Sequence, residues 1–123
     1  MASFEVRGGN KLKGSITPQG AKNEALQVIS AVLLSPEKIT ISNIPDIIDV
    51  NLLIELLGDM NVKITRPQRD TCIFDASEID LDYLHSEVFK KKSGKLRGSV
   101  MLAGPLLSRW GYFLIIVDQT LAN

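Results

Sequence analysis

Cysteine and histidine are scarce in this chain of 123 residues. Cys72 is the only cysteine and His85 the only histidine. A single cysteine excludes a disulfide within the chain and is typical of a reducing compartment. No second histidine or partnered cysteine completes a metal-ligand pattern, so we expect no metal. A catalytic pair of Cys72 and His85 stays open, but Cys72 precedes the apolar residues Ile73 and Phe74 in a predicted strand, which favours a packing role.

Net charge and long apolar runs are also lacking. Fourteen basic residues balance fourteen acidic ones, so no overall field attracts the chain to nucleic acid or to a membrane surface. The longest apolar run, 112–117, is far shorter than the roughly 20 residues that a membrane-spanning helix needs. The first residues lack the basic and then apolar layout of a signal peptide. A folded cytoplasmic protein without a membrane partner is therefore expected, and 45% hydrophobic residues can supply its core.

Hydrophobic periodicity predicts an α+β domain. Predicted strands span 4–7, 11–17, 38–42, 61–65, 71–75 and 112–117, and predicted helices span 21–34, about 46–60 and 96–110. Asp46 is the expected N-cap of the second helix. Proline at position 105 should kink the third helix, and Gly111 should end it. Residues 75–95 read as polar and irregular, while Met101 and Trp110 have the spacing of packing residues.

The block Gly20-Ala-Lys-Asn lies where the first helix should begin. Lys22 falls in the first turn, where the helix dipole disfavours a cation by about 0.3–1 kcal/mol. Free N–H groups, the positive dipole end and an ammonium group together suit a phosphate or carboxylate. Asn23 adds an amide that can donate and accept hydrogen bonds. Spacing alone does not distinguish this site from an ordinary surface lysine, because no complete glycine-rich phosphate loop is present.

Three ordered blocks resemble the amino-terminal part of the UDP-N-acetylglucosamine enolpyruvyl transferase family. The first runs from Phe4-Glu-Val-Arg-Gly-Gly through Lys11-Leu-Lys-Gly-Ser to Gly20-Ala-Lys-Asn-Glu-Ala-Leu. The second is Ile44-Pro-Asp-Ile-Ile-Asp-Val, and the third is Leu96-Arg-Gly-Ser-Val-Met-Leu-Ala-Gly-Pro. The sister family that acts on shikimate phosphate has Gly-Asp-Lys-Ser at the first block and is therefore less favoured.

The resemblance implies an inside-out barrel fold, built from βαβαββ repeats and here incomplete. Residues 1–21 would pair with a missing second domain, residues 22–115 would form first-domain repeats, and residues 116–123 do not match the family. The similarity of Lys11-Leu-Lys-Gly-Ser to Lys95-Leu-Arg-Gly-Ser agrees with such repeats. The family transfers the enolpyruvyl group of phosphoenolpyruvate to the 3-hydroxyl of UDP-N-acetylglucosamine in peptidoglycan synthesis, with no cofactor.

The resemblance also assigns roles to three residues. Lys22 would hold the phosphate of phosphoenolpyruvate, Asn23 would orient substrate, and Arg97 would bind the UDP-sugar. A guanidinium suits a diphosphate because it can donate two parallel hydrogen bonds. The non-functional alternative for Lys22 and for Arg97 is an ordinary solvated side chain.

The family pattern breaks near the carboxyl end. Members have a glycine-rich loop with a cysteine, or in some cases an aspartate, that serves in proton transfer or covalent capture. This chain has no such loop, Cys72 does not match its cysteine, and no role is transferred to Asp118. No catalytic residue is therefore retained, and the 123 residues alone are expected to be inactive.

Two non-catalytic interpretations remain open beside the transferase. The chain could be a module that binds anionic nucleotide sugars through Lys22 and Arg97. It could also bind nucleic acid through its basic run of Lys90, Lys91, Lys92, Lys95 and Arg97. No aromatic residue is interleaved in that run, and acidic residues at 75–87 balance it, so nucleic acid is the less favoured partner.

Overall fold

A computed structural model of the chain describes residues 2–111. The helices are α1 (Lys22–Ala31), α2 (Ile48–Asp59), α3 (Glu87–Gly94) and α4 (Ala103–Trp110), and the strands are β1 (Lys38–Ile41), β2 (Lys63–Gln68) and β3 (Thr71–Asp75). Three 3₁₀ helices span Val32–Leu34, Leu81–His85 and Arg97–Leu102. The α+β class is confirmed.

The three strands form one sheet in the order β1-β3-β2. β3 is antiparallel to both neighbours, with Phe74 opposite Ile39 of β1 and Ile64 of β2. β1 and β2 are therefore parallel, and α2 forms the crossover between them. Pro67 lies in β2, an edge strand of this sheet, where the register shifts between Thr65 and Gln68. An edge strand tolerates proline because the missing N–H faces away from the ladder.

The core lies between this sheet and the helices. The buried apolar residues form one cluster to which α1, α2, β3, α3 and α4 all contribute, with Ile29, Leu53, Phe74, Phe89 and Leu106 among its members. Cys72 is fully buried in it, and this burial raises the pKa of its thiol. The predicted packing role of Cys72 is confirmed, and Met101 and Trp110 pack partly buried against the same cluster.

The two strands predicted at 4–7 and 11–17 are absent, so that prediction is wrong. Residues 2–21 carry no regular secondary structure, and nearly all of them are exposed. The alternation of apolar and polar residues does predict strands, but a strand forms only where a partner accepts its hydrogen bonds. A lone hairpin without a packed face is marginally stable at best in water.

Residues 75–95 are more regular than predicted, since the 3₁₀ helix Leu81–His85 and helix α3 lie within them. The Ser86 hydroxyl accepts a hydrogen bond from the Phe89 N–H and caps α3. The Asp80 carboxylate likewise accepts from the Asp82 N–H and caps the 3₁₀ helix. α3 is short and buries chiefly Phe89, so its apolar periodicity is too weak to stand out.

Two of the predicted helices begin differently in the structure. Asp46 is not the N-cap of α2, because that position is Ile47 and the Asp46 carboxylate accepts from the Asn51 side chain instead. The predicted helix 96–110 is a 3₁₀ helix followed by α4. Pro105 therefore does not kink a long helix; it lies in the first turn of α4, where a missing N–H costs little. Gly111 ends α4 as predicted, in the left-handed conformation (φ 68°).

A polar cluster ties α2 to the helices that follow the sheet. Lys92 of α3 pairs with Asp59 at 2.6 Å and with Glu55 at 2.9 Å, and the Tyr83 hydroxyl donates to Asp59 at 2.7 Å. Partial burial disfavours the charged form of Asp59, but the hydrogen bonds from Lys92 and Tyr83 outweigh this and lower its pKa. Arg109 of α4 donates hydrogen bonds to the carbonyls of Leu33 and Ala76 and so ties α4 to the ends of the first 3₁₀ helix and β3. These contacts hold the helices in one arrangement around the core.

The start of α1 is packed tightly against the loop that follows β1. A Cβ added at Gly20 would overlap the carbonyl oxygen of Asn43 and lie 3.2 Å from Cδ of Pro45. Asn43 adopts a positive φ of 56°, a conformation that asparagine tolerates better than most residues. Glycine at position 20 thus allows the backbone of α1 to approach the loop that leads into α2.

Gly20→Ala is expected to lower the free energy of unfolding by about 1–3 kcal/mol, because the new methyl group forces the two backbones apart. Urea denaturation followed by circular dichroism measures the change. Gly94→Ala is the matched control, since a Cβ there meets open space at the end of α3 and should be neutral or slightly stabilising. Equal urea midpoints for Gly20→Ala and the unsubstituted chain would contradict the prediction, because they would show that the two backbones can move apart with no loss of stability.

Candidate functional site

The first turns of α1 and α2 lie side by side. Lys22 is the first residue of α1, and Asp49 lies in the first turn of α2. The Lys22 ammonium lies 2.6 Å from Oδ2 of Asp49. Gly20 makes this approach possible, because it lets the start of α1 contact the loop before α2. The ion pair thus joins two helix starts that are distant in sequence.

The pair balances opposite effects of the two helix dipoles. A carboxylate is favoured at the positive start of α2, whereas an ammonium is disfavoured at the start of α1. Asp49 offsets that cost by pairing with Lys22. The side chains of Lys22 and Asp49 are 51% and 36% exposed, so the pair contributes at most about 1 kcal/mol and can open to a ligand. No side chain of the described residues caps the start of α1, whose N-cap is Ala21.

A second polar group lies beside this pair. The Asn51 amide donates to Oδ1 of Asp46 at 2.8 Å, and the Arg69 guanidinium lies 3.6 Å from Oδ2 of Asp46. The hydrogen bond from Asn51, together with the charge of Arg69, lowers the pKa of Asp46. The contact with Arg69 links the start of α2 to the turn between β2 and β3. Asp46 is therefore an ionised residue that holds the loop before α2 through Asn51 and Arg69. It is not the helix cap that the sequence predicts.

An open cleft of about 600 Å³ borders these residues, and it is lined by Lys22, Asp46, Ile47, Ile48, Asp49 and Asn51. Its size is in the range of small-molecule sites. A smaller cavity of about 130 Å³ lies on the other side of the α1 start, lined by residues that include Gly20, Glu24 and Asn43. The polar groups of the larger cleft are one ammonium, one amide and the two carboxylates of Asp46 and Asp49. A hydroxylated ligand can bind these groups directly, whereas an anionic ligand must displace the Asp49 carboxylate from Lys22.

The structure places the predicted site residues unequally. Asn23, the second residue of α1, is exposed, and its side chain makes no hydrogen bond within residues 2–111. Arg97 is exposed at the start of the 3₁₀ helix Arg97–Leu102, and its guanidinium has no ion pair in the same range. Gly98 contacts Leu26, since a Cβ there would lie 3.1 Å from Cδ1 of Leu26. Leu26 is one helical turn beyond Lys22, so Arg97 lies beside the first half of α1.

Asp49 is the site residue that sequence reasoning missed. The sequence places it in the second resemblance block, but nothing there indicates that it faces Lys22. A signal was available in the chemistry: a cation in a first helical turn needs a carboxylate nearby, and Asp49 is an acidic residue at a second helix start. Which of the two acidic residues, Asp46 or Asp49, forms the pair depends on the turn of α2. Only the structure determines that choice.

The basic run at 90–97, the alternative nucleic-acid surface, is divided by ion pairs. Lys92 is held by Glu55 and Asp59, and Lys90 lies 3.3 Å from Glu87. Lys91, Lys95 and Arg97 are exposed, but they do not form an uninterrupted positive face. This arrangement favours a solvated charged surface.

Residues 2–111 contain no group of three or more histidine, cysteine, aspartate or glutamate side chains placed to hold a metal ion. Within the same residues, every helix is too short or too polar to cross a membrane.

Comparisons with known proteins agree on one family. A family model described as EPSP synthase (3-phosphoshikimate 1-carboxyvinyltransferase) matches residues 6–117. A UDP-N-acetylglucosamine 1-carboxyvinyltransferase of Porphyromonas gingivalis is 61% identical over 112 residues, which are 91% of this chain and 26% of that protein. The Bacteroides thetaiotaomicron protein of the same name is 54% identical over 115 residues, which are 94% of this chain and 26% of that protein.

Structural similarity extends the same result. The crystal structure of the enolpyruvyl transferase NikO from Streptomyces tendae superimposes with a TM-score of 0.60 at 27% identity, over 85% of this chain and 23% of that one. This chain thus spans about a quarter of the length of the relatives it matches. On this evidence the chain belongs to the EPSP synthase (3-phosphoshikimate 1-carboxyvinyltransferase) family, a family of transferases.

Proposed function

We propose that this chain is the amino-terminal, substrate-contacting part of a UDP-N-acetylglucosamine 1-carboxyvinyltransferase. Two relatives that bear this name are 61% and 54% identical to this chain over nearly its whole length. Their names support UDP-N-acetylglucosamine, and not shikimate phosphate, as the substrate. The complete enzyme would transfer the enolpyruvyl group of phosphoenolpyruvate to the 3-hydroxyl of UDP-N-acetylglucosamine. This reaction would serve peptidoglycan synthesis in the cytoplasm.

The pairing of Lys22 with Asp49 at the mouth of the open cleft carries the proposal. During transfer a C–O bond to phosphate breaks, a new C–O bond to the sugar hydroxyl forms, and the hydroxyl loses its proton. Negative charge therefore collects on the departing phosphate. An ammonium group at a positive helix start can stabilise that charge. Asp49 keeps Lys22 at this position until an anionic ligand replaces its carboxylate.

Asn23 and Arg97 are the other two residues of the proposed site. Asn23 follows Lys22 in the first turn of α1 and can orient a hydroxyl or carbonyl of the substrate. Arg97 has no ion pair within the described residues, so its guanidinium can bind the diphosphate of the UDP-sugar in a bidentate manner. Contact between Gly98 and Leu26 keeps Arg97 beside α1.

UDP-N-acetylglucosamine should bind the 123-residue chain saturably, and Arg97→Ala should weaken that binding by about tenfold, whereas Lys22→Ala should weaken the binding of phosphoenolpyruvate by about tenfold. A lost charge-assisted hydrogen bond costs about 1.5–3 kcal/mol, which corresponds to about tenfold or more in the dissociation constant. Isothermal titration calorimetry at low ionic strength measures the effect.

Lys38→Ala provides the control for charge alone, because Lys38 is an exposed cation at the start of β1, at the opposite end of that strand from the cleft. It should leave the dissociation constant unchanged. A titration without saturation would refute binding by this chain. Equal affinities for the unsubstituted chain and both site variants would refute the assigned residues while leaving family membership intact.

Asp49→Asn should tighten the binding of phosphoenolpyruvate by up to about fivefold at low salt. The substitution removes a carboxylate that competes with the anionic ligand for Lys22, and an exposed pair of this kind is worth about 0.2–1 kcal/mol. High salt should abolish the gain by screening. Glu37→Gln removes a charge from an exposed loop residue instead and serves as the control. Unchanged or weaker binding by Asp49→Asn would show that Asp49 does not compete with the ligand.

The chain alone should release no phosphate from phosphoenolpyruvate and UDP-N-acetylglucosamine. It lacks the glycine-rich loop with the cysteine or aspartate that the family resemblance places in proton transfer, so binding groups alone remain. A coupled phosphate assay with the P. gingivalis enzyme as positive control tests this. Turnover above the uncatalysed rate that Lys22→Ala abolishes would overturn the prediction.

A further inference from the structure

We propose that Lys92 is a positioning residue for UDP-sugar binding: it joins α3 to α2 and thereby holds Arg97 in place beside α1. The inference rests on the proposed function, because it requires Arg97 to bind the UDP-sugar. Lys92 acts through Arg97 and does not contact the substrate. Its contacts with Glu55 and Asp59, completed by the hydroxyl of Tyr83 on Asp59, are called the Lys92 clamp below.

Helix α3 needs tertiary contacts to keep its orientation. It has eight residues, and a helix of that length is only marginally stable by itself in water. Phe89 is its buried residue, and the rings of Phe89 and Tyr83 pack edge to face with 5.7 Å between their centroids. One apolar contact fixes the depth of a helix but still lets it pivot. Lys92 follows Phe89 by three residues, hence on the same face of α3, and supplies the second contact.

The clamp also relieves an unfavourable charge on α2. Asp59 lies in the last turn of α2, where the helix dipole disfavours a carboxylate, and that turn contains no basic residue. Lys92 supplies the missing cation from α3, at 2.6 Å from Asp59 and 2.9 Å from Glu55. The Lys92 side chain is 25% exposed, whereas that of Lys90, which pairs with Glu87 of the same helix, is 44% exposed. The Lys92 contacts are therefore the better shielded from water and salt.

The backbone leads from Lys92 to Arg97 with little slack. The Leu96 N–H donates to the Ser93 carbonyl at 3.2 Å, and the Ser99 hydroxyl donates to the same carbonyl at 3.3 Å. The last turn of α3 is thus hydrogen-bonded to the 3₁₀ helix that begins at Arg97. A tilt of α3 would therefore move Arg97 with it.

Helix α2 carries both ends of the proposed site. Asp49 in its first turn pairs with Lys22. Asp59 in its last turn holds Lys92 and, through α3, Arg97. The Cα atoms of the two aspartates are about 15 Å apart along the helix axis. A rigid helix between them fixes the phosphate-binding lysine relative to the arginine that binds the UDP-sugar, as a transfer between two bound substrates requires.

Isothermal titration calorimetry of the 123-residue chain tests the proposal with UDP-N-acetylglucosamine and, separately, with phosphoenolpyruvate. Lys92→Met should weaken UDP-sugar binding by about three- to tenfold, because Arg97 is no longer held in place. Phosphoenolpyruvate binding should stay unchanged, because Lys22 and Asp49 keep their contact. Lys92→Arg keeps the cation and should restore most of the affinity. Lys90→Met is the matched control, because it removes a cation whose partner lies in α3 itself, and it should change neither affinity.

A double-mutant cycle tests whether Lys92 acts through Arg97. With Arg97→Ala already present, adding Lys92→Met should weaken UDP-sugar binding no further. A purely structural role, or direct contact of Lys92 with the ligand, predicts instead that the two effects add. Additive effects would overturn the proposal.

Hydrogen exchange of the unliganded chain tests the clamp directly. Lys92→Met should accelerate exchange of the Leu96 and Ser99 amides, which donate to the Ser93 and Leu96 carbonyls, by about tenfold. Amides in the middle of α1 should exchange as before, which would show that the fold is intact. Glu55→Gln removes one of the two carboxylates and should cause a smaller acceleration, so it replaces Lys92→Met if that variant does not fold.

Failure of this inference and failure of the proposed function give different results. A titration of the unsubstituted chain with UDP-N-acetylglucosamine that does not saturate would refute the proposed binding, and this inference with it. Saturable binding that is equally tight in Lys92→Met, or exchange that Lys92→Met leaves unchanged, would overturn this inference alone. In that case the buried side chain of Leu96 would suffice to hold Arg97.

Discussion

The close approach of Gly20 to the carbonyl of Asn43 is the constraint on which the arrangement of the candidate site depends. It brings the start of α1 against the loop before α2, and Lys22 pairs with Asp49 beside that contact. The hydrophobic core fixes the remainder of both helices, through Ile29 on α1 and Leu53 and Leu57 on α2. The backbone contact therefore sets the distance between the starts of α1 and α2. The core sets the direction in which the two helices run.

Two converging helix starts create a region of positive potential that a protein must neutralise. Asp49 supplies one neutralising charge, and a phosphate-bearing ligand could supply another. Lys22 adds to the positive potential instead of relieving it. A local conflict of this kind costs stability in the unliganded chain, and it is expected where binding has shaped the sequence. The ion pair limits that cost while leaving both groups partly exposed.

Sequence patterns predict the buried elements well and the polar ones poorly. α1, α2, β1 and β3 were predicted because their apolar residues have clear periods, and Gly111 was predicted to end α4 because a left-handed residue is needed there. α3 was missed because it buries little beyond Phe89. The prediction of strands at 4–7 and 11–17 is wrong because an alternation of apolar and polar residues shows that a segment can pair, and not that a partner strand is present. Lys22 could be singled out from sequence, but its pairing with Asp49 required the tertiary contact.

Gly20 also separates a folded region from a region without regular secondary structure in the described chain. Beyond it, the chain satisfies its backbone through helices and a small sheet, and its apolar residues are buried in one core. Before it, the same alternation of residues remains exposed, with no backbone hydrogen bond in the described chain. The core of the described chain therefore contains none of residues 2–19, and Gly20 holds their carboxyl end against the loop before α2. The alternation of apolar and polar residues before Gly20 is therefore a capacity for strand pairing that the rest of the described chain does not satisfy.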